Sequence, residues 1–145
     1  MNRYFKQDLM KKILITGGAG YIGSMLCTEL VKLGYQVTVI DLLKYNSNSL
    51  GHLYFFKNFN FIFGDSRNKK IMKKLMKEHE FIIPLAGLVG APLCDEFKKD
   101  AITTNFQAVK MIRQLSNKKN KIIYMTSNSG YGIGEKINFV MKIVL

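Results

Sequence analysis

Short apolar runs alternate along this chain with stretches whose apolar residues recur every three or four positions. Residues 13–16 form the first run and predict a buried strand. From Ile22 the apolar positions are Ile22, Met25, Leu26, Leu30 and Leu33, which is helical spacing, and Gly34 supplies the stop. "YQVTVID" is rich in β-branched residues and predicts a second strand; "NFIFGD" predicts a third. Between them, residues 42–58 hold no steady period, and their Asn and Ser predict a loop with a helical turn. Ser66 stands where it can cap a lysine-rich helix reaching about Glu78. "FIIPLA" predicts a fourth strand. A glycine-rich loop and a long helix from about Asp95 to Ser116 follow, with Ile102, Phe106, Val109 and Ile112 along one side. "KIIYMTS" predicts a fifth strand.

Strands that alternate with helices imply parallel pairing through right-handed crossovers. The expected fold is α/β: a Rossmann-type doubly wound parallel sheet of five main strands, ordered 3-2-1-4-5. Its switch point falls between the first and fourth strands, and ligands bind such sheets at the carboxyl ends of the strands there. A length of 145 residues, 48% of them hydrophobic, fits one domain with a substantial core. The expected division is an N-terminal extension over residues 1–10, the sheet domain over 11–134, and an atypical tail over 135–145.

Charge changes this picture little. The net charge is +12, almost all of the excess being lysine. In "RNKKIMKKLMKEHE", Lys69, Lys70, Lys73, Lys74 and Lys77 fall opposite Ile71, Met72, Leu75 and Met76. That is the solvated face of an amphipathic helix, a better account than a nucleic-acid surface, which favours arginine forks. Cys27 and Cys94 are far apart and form no CxxC, which favours a reduced, cytoplasmic location. Cys27 is expected in the core and Cys94 in a loop. His52 and His79 have no partner at ligand spacing, so no metal site is expected. The longest nearly apolar run, "FIIPLAGLVGAPL", has 13 residues, too few for a membrane span.

Three glycines occupy the turn from first strand to first helix: Gly17, Gly20 and Gly23. One can allow a tight turn, one the approach of a diphosphate, and one close packing of helix on strand. The helix N-terminus presents free N–H groups and a positive dipole end to that anion. Asp41 ends the second strand, 18 positions after Gly23. Its carboxylate can accept from both hydroxyls of an adenosine ribose and would repel a 2′-phosphate, so NAD is favoured over NADP. Asp65 ends the third strand and can accept from an adenine amino group, or else cap the helix that follows.

In order and at fitting distances stand "TGGAGYIG", "VID", "GDSR", "PLAG", "TTNFQAV" and "YMTSNSGYG". Together they resemble the cofactor half of the extended short-chain dehydrogenase/reductases, specifically the NAD-dependent epimerase/dehydratase group. The resemblance implies that Gly17, Gly20, Tyr21, Ile22 and Gly23 cradle the pyrophosphate, that Asp41 holds the ribose, and that Asp65 meets the adenine. It implies that Leu85, Ala86 and Gly87 form the loop beside the cofactor, with Pro84 where the family usually has His. Asn105 matches the asparagine behind the cofactor. Ser127 matches the Ser/Thr that hydrogen-bonds the reacting sugar oxygen. Asn128 and Ser129 stand where the dehydratases carry Asp-Glu, which favours epimerase or reductase chemistry on a nucleotide sugar.

The family's general base is a tyrosine with a lysine four residues on, whose charge lowers the tyrosine pKa. None of the 7 tyrosines here has that lysine; Lys136 follows Tyr131 by five. The chain is therefore expected to bind NAD and to be inactive alone, as a truncated form of an enzyme whose catalytic helix and sugar lobe lie elsewhere. Two further readings stay open: a non-catalytic NAD sensor or interaction module whose apolar tail drives homo-oligomer assembly, and nucleic-acid binding through the lysines.

Overall fold

A computed structural model of the protein describes residues 11–45 and 48–126. Five strands form one all-parallel sheet: β1 (Lys12–Thr16), β2 (Gln36–Asp41), β3 (Phe59–Phe63), β4 (Phe81–Pro84) and β5 (Lys121–Ile122). Their order is β3-β2-β1-β4-β5. This is the doubly wound sheet expected from the alternation of runs. β1 lies at the centre, pairing Leu14 with Thr38 on one side and with Ile82 on the other. Its Leu14 and Ile15 are fully buried, as are Val39, Ile40 and Ile82 nearby. Each such side chain contributes roughly 2 kcal/mol of burial. Two layers of apolar residues result, one on each face of the sheet.

One face is covered by α1 (Tyr21–Lys32) and by a 3-10 turn at Gly51–Leu53. α1 packs through Gly23, Cys27 and Val31, while Ile22, Met25 and Leu33 of the expected apolar stripe are exposed. The reason is distance: the helix approaches the strand through small residues, and the larger ones are displaced outward. The loop of residues 42–58 contributes Leu50 and Leu53 to this same core.

The opposite face is covered by α2 (Lys69–Glu78) and α5 (Val109–Leu115). α2 buries Met72, Leu75 and Met76 and leaves all five of its lysines in solvent, as its pattern predicts. Its cap is Asn68, not Ser66: the Asn68 side chain accepts from the amides of Lys70 and Ile71, whereas Ser66 is buried. Asn is as good a cap as Ser, and the intervening Asp65–Asn68 turn delays the helix. The expected long helix also differs. It starts earlier, as α3 (Ala91–Glu96), breaks at Phe97, resumes as α4 (Lys98–Ala101), and widens into a π-helical stretch (Ile102–Ala108) before α5. Pro92 suits a helix start, and Phe97 has left helical geometry. Ile102 and Phe106 are exposed; Ile112 is buried. The paired part of the fifth strand stops at Ile122, where residues 121–127 were expected. No helix among the described residues is long and apolar enough to cross a membrane.

Candidate functional site

β1 and β4 run side by side with their crossovers on opposite faces, so a crevice opens at their carboxyl ends. The glycine turn forms its floor. Gly17 has φ +71°, a left-handed conformation, and a Cβ there would stand 2.5 Å from the backbone of Ala86. Gly23 packs the first turn of α1 onto Gly17 and Gly18, where a Cβ would meet backbone at 2.6 Å. Gly20 differs: a Cβ would find only the Gly17 carbonyl nearby, at 3.3 Å. The geometry gives the tight turn to Gly17 and the close packing to Gly23, and leaves Gly20 uncrowded.

Gly20 is also the N-cap of α1, and no side chain caps the helix. Its first-turn amides are free of intrahelical partners by construction. Tyr21 and Ile22 open the helix with side chains 86% and 56% exposed, so what they bring to the crevice is backbone N–H.

Asp41 stands at the end of β2 and reaches across to this turn. One carboxylate oxygen accepts from the Ala19 amide at 2.9 Å, the other from the Leu43 amide at 2.8 Å. Leu43 is held in a left-handed conformation, φ 54°. Each Asp41 oxygen keeps a lone pair, the arrangement needed to take two vicinal hydroxyls. Ser49 braces the same turn by donating to the Ala19 carbonyl at 2.8 Å.

Asp65 sits at the end of β3, as expected, but its carboxylate is engaged by Arg67. The Arg67 amide, Nε and a terminal nitrogen all donate to it, at 2.7 to 3.1 Å. The other terminal nitrogen of Arg67 donates to Asp100 at 2.8 Å and Thr103 at 2.9 Å. Lys44 lies 3.7 Å from the second oxygen of Asp100. The Arg67 hydrogen bonds hold both Asp65 and Asp100 below the usual carboxylate range, and raise Arg67.

The third wall is the loop after β4. Leu85 donates to the Thr16 carbonyl and Ala86 to the Thr16 hydroxyl, which fixes the loop against the end of β1. Asn105, in the π-helical stretch, clamps Leu88 with both ends of its amide: Nδ2 donates to the Leu88 carbonyl and Oδ1 accepts from its amide, each at 2.8 Å. Gly87 passes so close that a Cβ would lie 3.0 Å from the Asn105 oxygen. Such π-helical widening often marks a site. Asn105 thus orients the loop of Leu85, Ala86 and Gly87.

The crevice therefore gathers Gly17, Gly20, Gly23, Asp41, Leu85, Ala86, Gly87 and Asn105, with Asp65 at its edge; Ser127 and Tyr131 lie outside the described residues. Sequence reasoning missed Thr16, Ser49, Arg67 and Leu88, which hold the named residues in place. "GDSR" did contain Arg67, and its charge beside Asp65 was a usable signal. Cys27 is buried, and desolvation pushes its thiol up to about 12, so it is inert. No metal-binding group of His, Cys, Asp or Glu occurs among the described residues.

Residues 13–142 match the model of the NAD dependent epimerase/dehydratase family. The chain belongs to this family. The matched span takes in residues 135–142 of the tail. A UDP-N-acetyl-alpha-D-glucosaminuronate decarboxylase of Bacillus cytotoxicus is 36% identical over 127 residues, covering 87% of this chain and 39% of that one. A UDP-glucose 4-epimerase of Klebsiella pneumoniae is 33% identical over 144 residues, covering 89% and 98%. The structure of the epimerase Mth375 of Methanothermobacter thermautotrophicus superposes with a TM-score of 0.78 at 25% identity, covering 94% and 41%. The chain thus spans about two fifths of two of these relatives and nearly all of the third.

Proposed function

We propose that this epimerase/dehydratase-family chain binds NAD in the crevice between β1 and β4. The observation that carries the reading is Asp41: its carboxylate bridges the end of β2 and the glycine turn, beside the uncrowded Gly20 and the uncapped start of α1. The diphosphate lies on the free first-turn amides of Tyr21 to Gly23, beside Gly20, whose own amide donates to the Gly17 carbonyl, and the adenosine ribose lies on Asp41. The base lies toward Asp65, and the loop of Leu85 to Gly87, aligned by Asn105, closes the other side. A carboxylate at the ribose favours NAD over NADP, because a 2′-phosphate there would meet like charge.

Bound NAD supplies reversible acceptance of hydride from a sugar carbon. The decarboxylase and the Klebsiella pneumoniae epimerase named above act, by their names, on UDP sugars, and Asn128 and Ser129 disfavour dehydration. We assign the chain to nucleotide-sugar epimerisation or a related sugar oxidation–reduction, with Ser127 on the sugar oxygen, in the cytoplasm. These 145 residues hold no Tyr–Lys pair, so they bind the cofactor without turning a sugar over. Calorimetric titration tests this: NAD is expected to bind saturably, at least ten-fold more tightly than NADP, and Asp41→Ala to abolish the preference. No heat at millimolar NAD, or equal affinity for NADP, would overturn the reading. Sugar epimerisation by the purified chain would overturn the assignment of inactivity.

A further inference from the structure

Leu85 packs against the core and Ala86 is bonded to Thr16, but from Gly87 to Gln107 no residue is buried or packed against either core, although this stretch carries one wall of the crevice. α3 and α4 have no buried residue at all. A segment without a core foothold is held by polar bonds or not at all. Here the bonds across to the strand ends come from charge. Arg67, at the end of β3, takes Asp65 with one edge of its guanidinium and Asp100 and Thr103 with the other. Lys44, just past β2, sits on the far oxygen of Asp100. Asp100 and Thr103 stand five and two residues before Asn105, which grips the crevice loop at Leu88. Arg67 therefore joins the end of β3 to the helix that aims the loop, and Lys44 adds the end of β2. Arginine alone offers that two-edged fork.

We propose that Arg67 is a latch: it holds residues 91–104 down as a flap at the carboxyl edge of the sheet, and it positions the Asn105–Leu88 clamp through Asp100 and Thr103. The latch is partly solvated, with side-chain exposures of 30% for Arg67 and 40% for Asp100, so salt loosens it. The flap closes over the bound dinucleotide and must open for exchange; that consequence rests on the NAD reading, and the latch itself does not.

The test is amide hydrogen exchange on the whole chain without NAD, comparing wild type, Arg67→Met and Arg67→Lys. Arg67→Met is expected to speed exchange in residues 91–104 by about ten-fold, the scale of a lost charged hydrogen bond, with β1, β2 and α1 unchanged. Arg67→Lys, which keeps the charge but loses the fork, is expected to fall between. Raising salt should loosen the same segment in wild type and have a smaller effect in Arg67→Met, where only the Lys44–Asp100 pair remains. Unchanged exchange in 91–104, or acceleration spread evenly over the sheet, would overturn the latch. NAD affinity is then measured on the same variants, with a loss of roughly ten-fold expected for Arg67→Met. A wild-type chain that shows the latch by exchange but binds no NAD would overturn the NAD reading alone.

Discussion

The two walls of the crevice are built by different physics. The wall of β1, the glycine turn and α1 is steric: Leu14, Ile15, Cys27 and Val39 are fully buried, and Gly17 and Gly23 sit where a single methyl group would meet backbone. The wall of residues 85–107 has no buried side chain and is held by Asn105, Asp100, Thr103 and Arg67. A steric wall gives a fixed surface. A polar wall gives a surface that can leave and return. The difference predicts that substitutions on the first side damage the fold, and substitutions on the second side damage order and affinity while the fold survives.

Gly17→Ala should show the largest effect. The new Cβ meets the Ala86 backbone in a left-handed conformation, and a loss of about 3 kcal/mol is expected from urea unfolding. A loss under about 1 kcal/mol would mean that the turn is soft and the contrast wrong. Asp41→Asn comes next. It removes the charge that the Ala19 and Leu43 amides share and that the proposed site offers to the ribose, and NAD affinity should fall by about 2 kcal/mol. Asn105→Ala removes two hydrogen bonds on the polar side, and should lower NAD affinity by about 1 kcal/mol while urea stability barely moves.

Acid separates the two walls by order. His79 is buried, and its Nε2 lies 2.8 Å from the Thr38 hydroxyl; burial lowers its pKa from 6.5. Its Nδ1–H donates to the Leu75 carbonyl, so in the neutral ring Nε2 accepts from the Thr38 hydroxyl; it is burial, not these bonds, that disfavours the charged ring. The unfolded chain takes up that proton first, so global stability falls as pH drops below 6.5 toward the lowered folded value. Asp65 and Asp100 are shifted below 3.8 by Arg67, so the latch keeps its charges until the pH falls past that value. Unfolding midpoints measured from pH 7 to 4 should decline, and His79→Gln should flatten the decline. Exchange in residues 91–104, corrected for intrinsic rates, should stay constant over that range. The smallest effect belongs to the lysine face: replacing Lys69, Lys70, Lys73 and Lys74 by Ala should leave NAD affinity within about two-fold, because all four point into solvent.

What was legible in the chain followed from repetition. Five apolar runs gave the sheet and its order, because buried parallel strands leave little choice of residue. The glycine spacing and Asp41 were legible because each answers a local demand. The inward face of α1 was legible only in part: Cys27 was expected in the core and a glycine at the close helix packing, but Ile22 and Met25, with the stronger hydropathy, point outward because the demand there is for smallness. The break at Phe97 and the π-helical turn were hidden by a pattern that reads as one continuous helix. The Arg67 latch was hidden by distance, since Asp100 and Thr103 lie 33 and 36 residues on. Long-range polar contacts leave no period to find.

The most direct test of the central claim is an amide NMR titration of the intact chain with NAD. Saturable shifts are expected at Ala19 and at Gly20 to Gly23, with smaller ones at Leu85 to Leu88. Lys12, Gln36 and Asn58, at the amino edge of the sheet, should not move. Shifts centred on that amino edge or on the lysine helix, with the glycine turn silent, would contradict it.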